Sequence, residues 1–205
     1  MKPGYWDAAC AELSGRDPVM ARIIAERGHT HLVSRGDPFQ TLARSIVGQQ
    51  ISVKAAQSVW NRFESAAREL APQRVARMRI GTLRNCGLSA RKAEYLKCLA
   101  RCFDRGEVDP TAWPDRDDEA IIAELVAVRG IGRWTAEMFL MFNLLRPDVY
   151  PLDDLGLLRG IEKNYRNGEG VSRREAQALG EGWRPWRTVA TWYLWRSLEP
   201  TPVEY

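Results

Sequence analysis

With 205 residues, 45% of them hydrophobic and 27% charged, the chain has apolar material for one sizeable core or two small lobes sharing a cleft, which excludes disorder as its overall state. Its 16 glycines and 11 prolines are close to average usage and no repeat is visible, so fibrous and solenoid architectures fall away. Lys and Arg number 30 against 26 Asp and Glu, a formal charge of +4; with an isoelectric point near 9.0 this permits a polyanionic partner without identifying one. The longest apolar runs, such as Met138 to Phe142, fall far short of the roughly 18 residues a membrane span needs. The start, Met1-Lys2-Pro3-Gly4-Tyr5-Trp6-Asp7, has neither the apolar stretch nor the cleavage site of a secretory signal. The expectation is no membrane association and residence in the cytosol or nucleus.

Alternating strand patterns are almost absent, whereas apolar spacings of three and four recur throughout, so the fold class predicted is all-α. Arg35-Gly36-Asp37-Pro38 reads as a helix stop and restart. Beyond it, Phe39, Leu42, Ile46 and Val47 form one apolar face, and Val53, Ala56, Val59, Trp60 and Phe63 form another, with Gln49-Gln50-Ile51-Ser52 between them. Leu83 to Gly87 reads as a helix ending in a glycine stop, after which Ser89 caps a helix carrying Ala93, Leu96 and Leu99. The polar stretch from Asp104 to Asp118 is the best linker candidate. Cys10, Cys86, Cys98 and Cys102 lack metal-ligand spacing and read as reduced, mostly core thiols. His29 and His31 lack a third ligand and read as solvated side chains.

From Glu119 onward, Ile121, Ile122, Leu125, Val126 and Val128 predict a helix that ends in Arg129-Gly130-Ile131-Gly132, and Trp134 to Leu145 predicts a second, very apolar helix. This is a helix, a glycine hairpin and a helix. Glycines admit backbone angles that a side chain forbids, and the second helix begins with amides lacking intrahelical partners, an arrangement that attracts a phosphate oxygen. An ordinary helical hairpin accounts for the motif equally well. Downstream, Arg146-Pro147-Asp148-Val149-Tyr150-Pro151-Leu152-Asp153-Asp154 forms a proline-punctuated loop into the periodic Leu155, Leu157, Leu158 and Ile161. Adjacent aspartates at a helix start include one natural N-cap, worth about 0.5–2 kcal/mol, and one further carboxylate that the helix end keeps ionised. Trp183, Trp186, Trp192 and Trp195 cluster near the C-terminus; core packing accounts for most of them.

These segments, taken in order, resemble the helix-hairpin-helix (HhH-GPD) DNA glycosylases and, within them, the alkylation-repair branch of DNA-3-methyladenine glycosylase II type. Leu125 to Ala136 is similar to the family hairpin, Asp148 to Asp154 to the segment bearing its catalytic aspartate, Phe39 to Ala56 to its wedge region, and Trp183-Arg184-Pro185-Trp186-Arg187 to its C-terminal signature. The resemblance implies a two-lobed helical fold with the active site in the cleft between lobes. It implies a single compact catalytic unit over 1–205, with lobe one at about 36–146 and lobe two at about 1–35 plus 147–205.

Carried over residue by residue, the resemblance places the catalytic carboxylate on Asp154, with Asp153 as cap or neighbour. It places the base pocket on Trp134, Met138 and Trp195, and DNA contacts on Gln50, Gly130, Gly132, Arg133 and Thr135. Met138 stands where well-known relatives have an aromatic, and Gln50 where they have an apolar wedge. Strand-cleaving relatives carry a Schiff-base lysine where this chain has Trp134, so the implied enzyme is monofunctional, with water as nucleophile. It would hydrolyse the N-glycosidic bond of alkylated purines of the 3-methyladenine and 7-methylguanine type in duplex DNA. No cofactor is required on this reading, although the backbone carbonyls of Val126, Val128 and Ile131 are implied ligands of a Na+ or K+ ion at the hairpin. The implied partner is double-stranded DNA containing alkylated bases, met by a monomer in a bacterial cytoplasm, on the nucleoid, or in a eukaryotic nucleus. Alternatives are a noncatalytic DNA-binding module, a strand-cleaving lyase, and a glycosylase for a deaminated or oxidised base.

Overall fold

A computed structural model describes residues 2–28 and 30–198. His29 therefore lies outside the described residues, while His31 is half-buried in a loop. The elements are α1 (Trp6–Arg16), α2 (Pro18–Arg27), α3 (Pro38–Gly48), α4 (Val53–Ala67), α5 (Pro72–Arg77), α6 (Ile80–Asn85), α7 (Ala90–Asp104), a 3-10 turn (Pro110–Asp115), α8 (Asp118–Val126), α9 (Arg133–Phe142), α10 (Leu155–Tyr165), α11 (Arg173–Glu181) and α12 (Arg187–Leu198). No strand occurs among the described residues, so the chain is all-α. None of its described helices is long and apolar enough to cross a membrane. Two units result: Arg35–Phe139, and the segment up to Ser34 together with the chain from Leu140 onward. The division falls inside α9, where the sequence placed it near residue 146.

In the Arg35–Phe139 unit, Asp37 caps α3 by accepting the Gln40 amide at 2.8 Å, and Pro38 supplies a first residue with helical φ already set. Phe39, Leu42, Ile46 and Val47 are buried along one face, as their spacing predicts. On α4 the predicted face holds for Val59, Trp60 and Phe63, but Val53 is 76% exposed. It is the first residue of that helix, beyond the reach of the core. Ser89 caps α7, whose Ala93, Leu96, Leu99 and Ala100 are buried against α3, α5 and α6.

The stretch from Asp104 to Asp118 is not a linker. Trp113 in its 3-10 turn is 1% exposed; its indole donates to Glu124 Oε1 at 2.8 Å and its ring meets Phe139 edge-on at 5.2 Å. Polar composition conceals this anchor and the buried Val108. The helix predicted from Trp134 to Leu145 also ends early, at Phe142, because Leu145 takes a left-handed φ of 54°.

In the other unit α12 is buried on every side: Thr188 to Trp195 and Ser197 all lie in the core, the pattern of a central helix. It packs against α1, α2 and α10. Asp17 ties these elements together. Its Oδ1 caps α2 by accepting the Val19 and Met20 amides at 2.8 and 3.1 Å, while Oδ2 accepts the Tyr165 hydroxyl at 2.6 Å and the Trp183 indole at 3.0 Å. Asp17→Ala removes a cap and strands two largely buried donors. Roughly 3–7 kcal/mol of stability should be lost, summing a cap at about 1 and each unpaired donor at about 1–3. Urea denaturation should show the midpoint falling with the slope unchanged.

Candidate active site

Asp154 is 5% exposed and starts α10 in extended backbone conformation. Its Oδ1 accepts the Leu157 amide at 2.6 Å and the Trp195 indole N–H at 2.7 Å. The cap of this helix is therefore Asp154 itself. Of the two expectations for Asp153, cap or neighbour, the structure gives the second: Asp153 is exposed and paired with Arg173. The physical reason is the turn before it, in which the Asp154 amide donates to the Pro151 carbonyl at 2.9 Å and sets this residue, not its neighbour, one position before the helix.

The loop that delivers Asp154 is pinned by the start of α12. Asp148 receives Arg187 through both oxygens, Nε on Oδ1 at 2.7 Å and Nη2 on Oδ2 at 2.9 Å, and Arg184 Nη1 on Oδ2 at 2.9 Å. Such a two-pronged guanidinium contact fixes direction as well as distance. The Thr188 hydroxyl donates to the Arg146 carbonyl at 2.6 Å and accepts the Val149 amide at 2.9 Å. Tyr150 donates to the Ala176 carbonyl at 2.6 Å, and burial pushes its hydroxyl pKa upward. Sequence reasoning singled out the segment Trp183 to Arg187 without finding this task. Asp148 and Arg187 are 39 positions apart, and no local spacing signals such a pair.

Trp195 is 3% exposed, and its ring stacks on Phe142 at 6.0 Å with an interplanar angle of 6°. The structure brings Asp154 and Trp195 together within one unit. Trp134 and Met138 lie in the other unit, one helical turn apart on α9. Trp134 is 39% exposed, unusually open for an indole, whereas Met138 is buried.

The hairpin between α8 and α9 is built around Gly130, whose φ of +100° lies in the region side chains avoid. A Cβ there would stand 2.4 Å from the Tyr95 ring, so this glycine also admits α7 against the turn. Gln49 Nε2 donates to the Gly130 carbonyl at 2.9 Å. That bond ties the hairpin to the turn carrying Gln50, which is exposed and held at φ 59°. Gly132 is different: it lies outside the left-handed region, and a Cβ would meet nothing within 4 Å. Thr135 is buried. Arg133 donates to Glu119 at 2.9 and 2.5 Å and to Glu137 at 3.0 Å. These bonds hold the Glu119 carboxyl below its ordinary range and raise the Arg133 guanidinium further. Arg133 thus braces α8 against α9.

Among the described residues no group of three or more His, Cys, Asp or Glu could hold a metal ion. The four cysteines are free; burial pushes Cys102 up to about 12 and raises Cys10 and Cys86, which keeps these three as thiols. The hairpin carbonyls of Val126, Val128 and Ile131 are neutral oxygen donors. That of Val128 accepts the Ile131 amide at 3.0 Å and retains a second lone pair.

The chain is similar to known proteins in sequence and in fold. The family described as HhH-GPD superfamily base excision DNA repair protein matches residues 43–185. DNA-3-methyladenine glycosylase 1 of Schizosaccharomyces pombe is 33% identical over 192 residues, 90% of this chain and 84% of that protein. The crystal structure of a DNA-3-methyladenine glycosidase from Bacillus halodurans superposes with a TM-score of 0.87 at 36% identity, covering 92% of this chain and 88% of that one. The Schizosaccharomyces pombe 3-methyladenine DNA glycosylase Mag1, in complex with abasic DNA, gives a TM-score of 0.81 at 32% identity over 93% of this chain and 96% of that one. With a family match over most of its length and relatives of this similarity, the chain belongs to the HhH-GPD superfamily of base excision DNA repair proteins.

Proposed function

We propose that this chain is a monofunctional DNA glycosylase that hydrolyses the bond between deoxyribose and an alkylated purine, leaving an abasic site in an unbroken strand. The observation that carries the reading is Asp154: a buried carboxylate at a helix start, oriented by a backbone amide and an indole N–H on the same oxygen. A positively charged ring such as 3-methyladenine or 7-methylguanine leaves without a general acid, so one fixed carboxylate suffices. Asp154 stabilises the positive charge developing on the sugar and orients the attacking water.

Extruding the nucleotide costs a few kcal/mol, less for a damaged pair, and Gln50 on its exposed turn fills the vacancy. The open indole of Trp134, with Met138 one turn away on α9, takes the cationic base; an aromatic face over a cation is worth roughly 0.5–2 kcal/mol. The Gly130–Gly132 hairpin, with Thr135 and the first amides of α9, receives a backbone phosphate of double-stranded DNA. Arg133 adds positive charge at that helix start while bridging Glu119 and Glu137. A Na+ or K+ ion held by the Val126, Val128 and Ile131 carbonyls supplies further positive charge there when bound. The working compartment is the one holding genomic DNA, cytoplasm in a bacterium and nucleus in a eukaryote.

The test is base release from duplex DNA methylated at purines, in competition with hypoxanthine and 8-oxoguanine duplexes and with borohydride present in a parallel reaction. Free 3-methyladenine or 7-methylguanine, intact strands and no trapped adduct are expected. Preference for an uncharged lesion would overturn the cationic-base account, and a borohydride adduct would overturn monofunctionality.

A further inference from the structure

α10 opens with glycine as its second residue, at Gly156. A helix interior ordinarily prefers alanine over glycine by about 0.5–1 kcal/mol, so the position runs against local propensity, and its backbone is outside the left-handed region that would demand glycine. The reason lies in what surrounds it. A Cβ at 156 would stand 3.0 Å from Asp154 Oδ1, 3.0 Å from Trp195 Cδ1 and 3.0 Å from Trp195 Nε1. Two of these atoms are the acceptor and donor of the 2.7 Å bond that orients the carboxylate. One turn later Gly160 has a different explanation, because a Cβ there would press on the Leu194 backbone, 3.0 Å from its carbonyl oxygen. Gly160 sets how closely α12 approaches α10, and Gly156 leaves headroom for the indole to reach Asp154.

We infer that Gly156 is a positioning residue for base excision: by having no side chain it keeps the Trp195 N–H on Asp154 Oδ1 and so fixes the direction of the carboxylate. The inference rests on the reading of Asp154 as the catalytic group. A methyl group at 156 crowds Asp154 Oδ1, the oxygen that accepts both the Trp195 indole and the Leu157 amide capping α10. It displaces the indole, the carboxylate, or both by a few tenths of an ångström.

The experiment compares Gly156→Ala, Trp195→Phe and the double variant in single-turnover release of methylated purine from duplex DNA, with binding to abasic duplex and thermal unfolding measured in parallel. Gly156→Ala should lower the excision rate roughly 10–100-fold, the range expected for a misplacement of up to about 1 Å, with abasic-DNA affinity unchanged. Trp195→Phe, which lacks the donor, should also lower the rate. Adding Gly156→Ala to it should cost less than threefold more, since the bond it disturbs is already gone. A wild-type rate for Gly156→Ala would overturn the inference. So would full additivity in the double variant, or a loss confined to DNA affinity. Should Gly156→Ala lower the unfolding midpoint too, the non-additivity with Trp195→Phe still decides. Asp154→Asn run beside them separates the two readings: an active Asp154→Asn sinks the catalytic assignment, whereas an inactive one beside a fully active Gly156→Ala sinks only the positioning role.

Discussion

Asp154→Asn should lower the rate of methylated-purine release about a thousandfold while leaving the fold and the affinity for abasic DNA intact. A carboxylate about 4 Å from a sugar cation is worth about 4 kcal/mol at an effective dielectric near 20, which is close to three orders of magnitude in rate. Asparagine is the informative replacement because of how Asp154 is held. Its amide oxygen still accepts the Leu157 amide and the Trp195 indole, the two bonds that Oδ1 accepts in the native chain, and asparagine caps helices as well as aspartate does. The charge is removed, and an amide NH2 takes the place of Oδ2. Alanine would confuse two effects, since it deletes the cap and leaves the buried indole N–H without this acceptor, a loss of roughly 1–3 kcal/mol for the unpaired donor alone. Asp153→Asn is the companion control. That carboxylate is exposed and paired with Arg173, and exposed pairs contribute about 1 kcal/mol at most, so excision should stay within twofold of wild type. Excision by Asp154→Asn at more than about one-tenth of the native rate would contradict the electrostatic role.

The same pair of aspartates shows how far the sequence could be read. Two carboxylates at a helix start, in a segment resembling a catalytic one, marked Asp153 and Asp154 as the candidates. The division between them depended on a turn closed by the Pro151 carbonyl, a backbone bond that residue types do not encode. Helix faces were legible where burial follows period: Phe39, Leu42 and Ile46 are in the core as their spacing requires. Val53 shares that period yet lies open, because the first turn of α4 projects past the elements that cover the rest. Trp113 failed in the opposite direction, one indole anchoring a stretch whose composition is that of a linker. Long-range ion pairs such as Arg187 with Asp148 carry no periodic signal at all. The tethering of the loop before Asp154, and the room that Gly156 leaves, emerge only from the folded structure.

The hairpin glycines should separate under the same substitution, because they are glycine for different reasons. Gly130→Ala places a methyl group 2.4 Å from the Tyr95 ring in a backbone conformation with φ +100°. The left-handed backbone costs roughly 1–2 kcal/mol and the overpacking about 1–3 more. For a chain of this size each kcal/mol moves the unfolding midpoint by about 2–4 °C, so a fall of roughly 5–15 °C is expected in a thermal melt. The carbonyl that Gln49 holds shifts with it, and abasic-duplex affinity should drop as the hairpin distorts. Gly132→Ala meets nothing of its own chain within 4 Å and needs no special φ, so its melt should match wild type. If a phosphate approaches the hairpin backbone at this point, the methyl group stands in its way, and abasic-duplex affinity should still fall about tenfold, equivalent to about 1.4 kcal/mol. The contrast is the prediction: one glycine is demanded by Tyr95 and the turn, the other by DNA. Native affinity in Gly132→Ala would mean that the phosphate backbone does not come close to that residue, and would move the anchoring contact elsewhere on the hairpin.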